Sequence, residues 1–202
     1  MCRRFFKNAT AWLTMFRRTQ SGEERMKELV FINGTMGVGK TSTCRELLLL
    51  LEPAAFLDGD WCWTMSPFVV NEETKALVLD NVAHILNGFL HCSAYRRVIF
   101  CWVMHEYSIV EEVLRRLDLS EARFFLFTLT ASEQALSARL RRDVENGRRN
   151  PDVLARSLAR LPLYAAMNSR KIDVSSRTPK EAAKIMAAVL LGVNEDGANG
   201  VS

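Results

Sequence analysis

Eight consecutive residues constrain this chain more than any other feature. Gly34-Thr35-Met36-Gly37-Val38-Gly39-Lys40-Thr41 satisfies the G-x-x-x-x-G-K-[ST] pattern of a phosphate-binding loop. The flanks supply the context the pattern needs. Leu29 to Asn33 is an apolar, β-branched run that predicts a buried strand, and Ser42 to Leu51 has helical apolar periodicity that stops before Pro53. Glycines between a strand and a helix let backbone N–H groups turn inward around phosphate oxygens, and the helix dipole favours the anion. Gly34, Gly37 and Gly39, with Thr35, Met36, Val38 and Ser42 between and behind them, are therefore read as the cradle. Lys40 is expected to reach the terminal phosphates, and the Thr41 hydroxyl to ligate Mg²⁺. The prediction is a chain that binds a nucleoside triphosphate, with ATP and GTP both open.

The rest of the chain alternates strand-like and helix-like segments. Strands are predicted at Ala54–Asp58, Arg97–Val103, Phe124–Leu129 and Lys171–Val174. Asn71 is placed as the cap of a helix over 72–92, with Leu77, Val78, Val82, Ile85, Leu86 and Phe89 on its inner face. Ser108 with Glu111, and Thr130 with Glu133, read as capping boxes opening two more helices; Asn150-Pro151 reads as a third start. Thr178-Pro179-Lys180-Glu181 opens a last helix that Gly192 closes. This order predicts an α/β fold, a doubly wound parallel sheet of five strands flanked by helices.

At 202 residues, 49% apolar and 25% charged, the chain suits one globular domain, assigned to 26–193, with 194–202 as a disordered tail. The net charge of +4 is carried by one end. Residues 1–25 hold six basic residues (Arg3, Arg4, Lys7, Arg17, Arg18, Arg25) against Glu23 and Glu24, which leaves 21 basic and 21 acidic residues in the body. A neutral body has no electrostatic footprint for nucleic acid. The basic, aromatic extension is read as an accessory tail outside the fold, as an amphipathic helix that touches a membrane surface, or as a transit peptide. No apolar run is of transmembrane length, and five cysteines without a C-x-x-C pair suit buried thiols in a reducing, cytoplasmic setting. The spacing of His84, His91 and His105 argues against zinc.

In a doubly wound sheet the ligand crevice lies at the carboxyl ends of the strands. The second strand ends in Asp58-Gly59-Asp60. Asp58 is assigned to the metal and Asp60 to the acceptor hydroxyl, as base or aligner; a turn built on Asp and Gly is the competing account. Trp61, Trp63 and Phe68 suit either stacking on a flat ring or a hydrophobic lid. The third strand carries no acid, which leaves Asp58 as the metal candidate, with His105 and Glu106 read either as assisting through water or as a satisfied polar pair at a helix entry. Arg139 and Arg142 share a helix face near Arg141, and Arg148 and Arg149 follow in a turn. Such arginines suit a closing lid over transferred phosphate, or a solvated basic face.

These residues together resemble the small P-loop kinases, over 27–192. Leu57-Asp58-Gly59-Asp60 is similar to the second-strand motif of adenylylsulfate kinases, with Trp61-Cys62-Trp63 in place of their Asn-x-Arg. Asp58-x-Asp60 also resembles the D-x-D of shikimate kinases, which implies metal for the first acid and substrate for the second. Arg139 to Arg142 resembles the lid arginines of nucleotide kinases, and Ile172 to Ser175 with Thr178-Pro179 their adenine-side strand and final helix. Ile32 to Thr41, together with Ala131, Ser132, Leu136, Arg139 and Leu140, is similar to the tunicamycin-resistance type of ATP-binding protein. The resemblance implies a kinase that uses ATP and Mg²⁺ on a small, nucleoside-like or otherwise hydroxylated acceptor. Lys40, Asp60, Arg142 and Arg148 then carry catalysis, and Arg139 joins the nucleotide site. An ATP-dependent switch that signals to a partner is the other class the chain fits. The oligomeric state is left open.

Overall fold

Leu29, Val30, Phe31 and Ile32 have no exposed surface, so the strand that carries them must be covered on both faces. The computed structural model describes residues 26–193 and places that strand, β1 (Lys27–Asn33), in the middle of a five-stranded sheet. The expectations for 1–25 and 194–202 lie outside the described residues. With β2 (Ala54–Asp58), β3 (Arg97–Cys101), β4 (Ala122–Thr130) and β5 (Arg170–Asp173), the order is β2-β3-β1-β4-β5, parallel at every pairing. This is the fold class expected.

Alternation along β1 splits the core in two. Val30 and Ile32 face a layer that includes Ile99, Cys101, Cys44 and Leu47, covered by α1 (Lys40–Leu50) and α7 (Pro179–Leu191). Leu29 and Phe31 face Val98, Phe100, Val82 and Leu86, under α2 (Glu72–His91) and α3 (Tyr107–Leu114). Phe31 meets Phe100 and Phe124 edge-on, with ring centroids 4.8 and 5.2 Å away. Because α1 leaves β1 toward one face and α3 leaves β3 toward the other, a crevice opens between the carboxyl ends of these adjacent strands. A third cluster, Leu136, Leu140 and Val153, joins α4 (Glu133–Glu145) to α5 (Val153–Ala159), and α6 (Leu161–Ala166) follows at once.

Two helix starts are as read. Asn71 and Thr74 form a reciprocal capping box on α2, as do Thr178 and Glu181 on α7, and Gly192 ends α7 at φ 67°. Three starts differ. Helix α3 begins at Tyr107 with Glu106 in the capping position, so Ser108 lies inside the first turn and caps nothing. Thr130 stays in β4, because its carbonyl accepts from Val174 N–H at 2.8 Å, and Ser132 caps α4 by accepting from Ala135 N–H. Asn150 is held in a turn by Val153 N–H, which moves the start of α5 to Val153 behind Asp152. On α2, Leu77 points outward, 52% exposed; Ala83 and Leu90 complete the buried face instead. β3 ends at Cys101, and a 3-10 turn over Gly59–Trp63 follows β2. Cys44 and Cys101 are buried free thiols, whereas Cys62 and Cys92 are only partly covered. Among the described residues no helix is long and apolar enough to cross a membrane.

Candidate active site

The loop between β1 and α1 holds its shape through its glycines. Gly34, Gly37 and Gly39 have φ of 148°, 77° and 106°, a region side chains avoid. At Gly34 a Cβ would also lie 2.8 Å from the Leu129 carbonyl oxygen, so β4 leaves no room for one. Gly39 caps α1 with no side chain to accept hydrogen bonds, and no acid stands in the first turn. Side chains of the helix mouth therefore leave its N–H groups to an anion. The loop's side chains turn inward: Val38 is buried, Met36 packs against Leu136 and its neighbours, and buried Thr35 donates its hydroxyl to the Ser157 carbonyl on α5 at 3.0 Å. Ser42 is exposed just behind the mouth.

Lys40 folds back on the loop, donating to the carbonyls of Gly34 at 2.9 Å and Thr35 at 3.1 Å. Loss of hydration pushes its ammonium down from the ordinary lysine range; Cys101, Asp60 and Asp58 pull it up, and Arg149 adds to the depression. Thr41, at the start of α1, donates its hydroxyl to Asp58 Oδ2 at 2.5 Å, although β3 lies between β1 and β2. Asp58 is 4% exposed, and its other oxygen accepts from Asp60 N–H at 3.1 Å, which starts the 3-10 turn. The Asp60 carboxyl is pushed above the usual range, first by loss of hydration and then by the Asp58 charge, against the pull of Lys40, Arg149 and the nearby Trp102 indole. The structure thus brings Lys40, Thr41, Asp58 and Asp60 together.

The arginines divide. Arg139 is half-buried and donates to the carbonyls of Val38 (3.3 Å), Val174 and Ser175 (3.2 Å), tying the phosphate loop to the end of β5. Arg142 lies exposed in the last turn of α4. Arg148 is exposed and stands 3.9 Å from Asp143, a loose pair worth little. Arg149 donates Nε to Asp143 at 3.3 Å, and its charge is felt at both Lys40 and Asp60. Of the two arginines in that turn, Arg149 is the one whose charge acts on Lys40 and Asp60, which neighbour-by-neighbour reading could not separate from Arg148.

Other groups at the strand ends carry little local signal. Buried Asn33 donates to the Met104 carbonyl at 2.9 Å and to Met167 Sδ at 2.7 Å, joining β1, the exit of β3 and the segment after α6. His105 stands 3.7 Å from Glu106, the polar pair expected; loss of hydration and the Arg160 charge push its imidazolium down. Burial raises the Tyr164 phenol, near the same arginine. Trp63 meets Phe68 at 5.9 Å and packs with Cys62 and Met65 on the α2–α3 core, which favours the lid account for these residues. Trp61 rests edge-on against Phe56 and is half exposed.

Comparison with known proteins places this geometry. A family model described as an AAA domain matches residues 30–158. No curated protein sequence matches the chain. Solved structures that it resembles include the tunicamycin resistance protein of Deinococcus radiodurans, at 21% identity and TM-score 0.59, covering 83% of this chain and 97% of that one. A gluconokinase from Sinorhizobium meliloti is 17% identical, with TM-score 0.58 and coverage of 82% and 94%. A shikimate kinase from Acinetobacter baumannii, solved with shikimate, is 18% identical, with TM-score 0.56 and coverage of 85% and 96%. At such identities the likeness concerns the fold, which is that of the P-loop kinases.

Proposed function

From a chain that belongs to the AAA domain family, we propose a Mg-ATP-dependent phosphotransferase that moves the γ-phosphate to a hydroxyl of a small, nucleoside- or nucleotide-like molecule. The observation that carries the reading is the 2.5 Å contact from Thr41 to Asp58, which sets a pair of carboxylates against the phosphate loop. The kinase names of the gluconate and shikimate neighbours support a hydroxylated acceptor.

Lys40 exchanges the carbonyls of Gly34 and Thr35 for phosphate oxygens, and the anion restores the charge that dehydration disfavours. The loop amides and the mouth of α1 hold the rest of the polyphosphate. Asp60 aligns the acceptor hydroxyl and takes its proton; its raised carboxyl makes it a better base than an ordinary aspartate. Arg149, with Arg142 and Arg148 when the turn after α4 closes, offsets charge on the transferred group. Arg139 keeps the loop registered against β5, on the side where the resemblance puts the base.

Mg²⁺ fits the donors present. The Thr41 hydroxyl and Asp58 carboxylate are hard oxygen ligands at one point, and Mg²⁺ takes one or two such groups besides water and phosphate. Bound there, the ion would neutralise charge on the phosphate oxygens.

The test is incubation with ATP, Mg²⁺ and pooled metabolites, followed by mass spectrometry for a phosphorylated product. The reading expects a product, its loss in Lys40→Ala, and a reduced rate with ATP binding kept in Asp60→Asn. Absence of any product, with ATP-dependent capture of a protein partner, would replace it by the switch. Full activity in Asp60→Asn would remove that residue from the mechanism.

A further inference from the structure

The turn after β2 contains an aromatic contact that the phosphotransfer reading does not use. Register pairs Asp58 with Cys101, so the residues that follow them, Gly59 and Trp102, leave the sheet side by side. The Trp102 ring lies so close over Gly59 that a Cβ there would stand 2.6 Å from Cγ and 2.9 Å from both Cδ1 and Cδ2. Gly59 does not have a positive φ, so the glycine is required here by the ring and not by the backbone. Trp102 is itself held: its backbone N–H donates to the Ile32 carbonyl at 3.3 Å, and its ring meets Phe100 at 6.3 Å. Asp60 is the opposite case. Its backbone is tied to Asp58, but no hydrogen-bond geometry is shown for its side chain among the described residues.

We propose that Trp102 is the positioning residue for Asp60: seated on Gly59, it donates its indole N–H to the Asp60 carboxylate and aims it at the acceptor. The proposal rests on the reading of Asp60 as the acceptor's carboxylate. Physically, a free carboxylate at a strand end samples several rotamers, and a rigid donor selects one of them. The indole also opposes Asp58, the like charge beside Asp60, while Lys40 and Arg149 attract the same carboxylate from the loop and the lid turn. An indole is suited to this because it donates without bringing a charge that would compete for phosphate.

The experiment uses the full chain with indole-nitrogen-labelled tryptophan. Of four tryptophans, Trp102→Phe identifies the Trp102 resonance, and Asp60→Ala reads the contact. Asp60→Ala is expected to move the Trp102 N–H upfield and speed its exchange with water; a resonance that ignores Asp60→Ala overturns the proposal. Turnover of Mg-ATP with water as acceptor supplies the second reading. Trp102→Phe should lower kcat about tenfold, the loss of one hydrogen bond to a charged group, with KM for ATP unchanged. In the Asp60→Ala background the same change should cost nothing further; an additive loss overturns the positioning role. Gly59→Ala, which displaces the ring without removing it, should reproduce both effects. If Asp60→Ala moves the resonance yet leaves turnover intact, the contact stands and the catalytic reading of Asp60 is what fails.

Discussion

β1 has a charged cluster at each end, and the two are built differently. At the amino end, buried Glu28 takes Arg97 Nε at 2.6 Å and has Arg96 at 3.6 Å, while Arg97 also reaches the Leu51 carbonyl at 3.4 Å. Opposite charges meet directly across neighbouring strands, since register pairs Glu28 with Arg97. At the carboxyl end, Lys40 lies near Asp58 and Asp60 but spends its hydrogen bonds on loop carbonyls, and the two acids crowd each other. One cluster is closed and needs nothing. The other is frustrated in a way that a polyphosphate and a divalent cation would relieve, which is how binding sites differ from structural ion pairs.

That contrast can be broken by experiment. Lys40→Ala should give the largest functional effect, a fall in turnover of a hundredfold or more by analogy with the loss of a charge-stabilising donor, while thermal melting shows no loss of stability. Equal destabilisation and inactivation would mean the lysine is structural. Glu28→Gln should do the reverse. Removing one partner of a buried pair costs about 3–5 kcal/mol in denaturant titration, with turnover per folded molecule unchanged. Arg149→Ala should lower turnover about tenfold, more than Arg148→Ala, because Arg149 is the one whose charge reaches Lys40 and Asp60. Equal effects would make the turn an undifferentiated basic face.

The smallest effect belongs to Asp118, in the turn before β4. It accepts from Ser120 N–H at 3.1 Å and Ser120 Oγ at 2.7 Å, and lies 3.1 Å from His91 Nε2; these bonds hold its carboxyl down at about 2. A carboxyl depressed below its unfolded value of about 3.9 stabilises fully above that value and loses its contribution as pH falls toward 2. Asp118→Asn should therefore melt slightly earlier at neutral pH, with the gap to the parent closing through that acid window. A gap that persists unchanged would assign the effect to shape and not to charge.

How much was legible depends on how local the cause is. The phosphate loop, the caps at Asn71 and Thr178 and the β2 exit at Asp58 are each set by a few adjacent residues, and all appear where the sequence placed them. The misplaced starts at Ser108, Thr130 and Asn150 were decided by longer reach: Thr130, for example, is kept in its strand by a bond to Val174. Trp102 escaped notice because, in an apolar run, a tryptophan reads as core. Its proposed role depends on Gly59, a residue in the turn after β2.

Residue order alone determined that a strand, a glycine turn and a helix mouth would form an anion cradle, since backbone conformation and helix polarity are properties of neighbours in the chain. Only the tertiary structure decided which charges face it. Thr41 touches Asp58, and the Arg149 charge acts on Lys40 and Asp60, because strand order and the turn after α4 bring them there. Electrostatic contact depends on separation in space, and separation along the chain does not specify that.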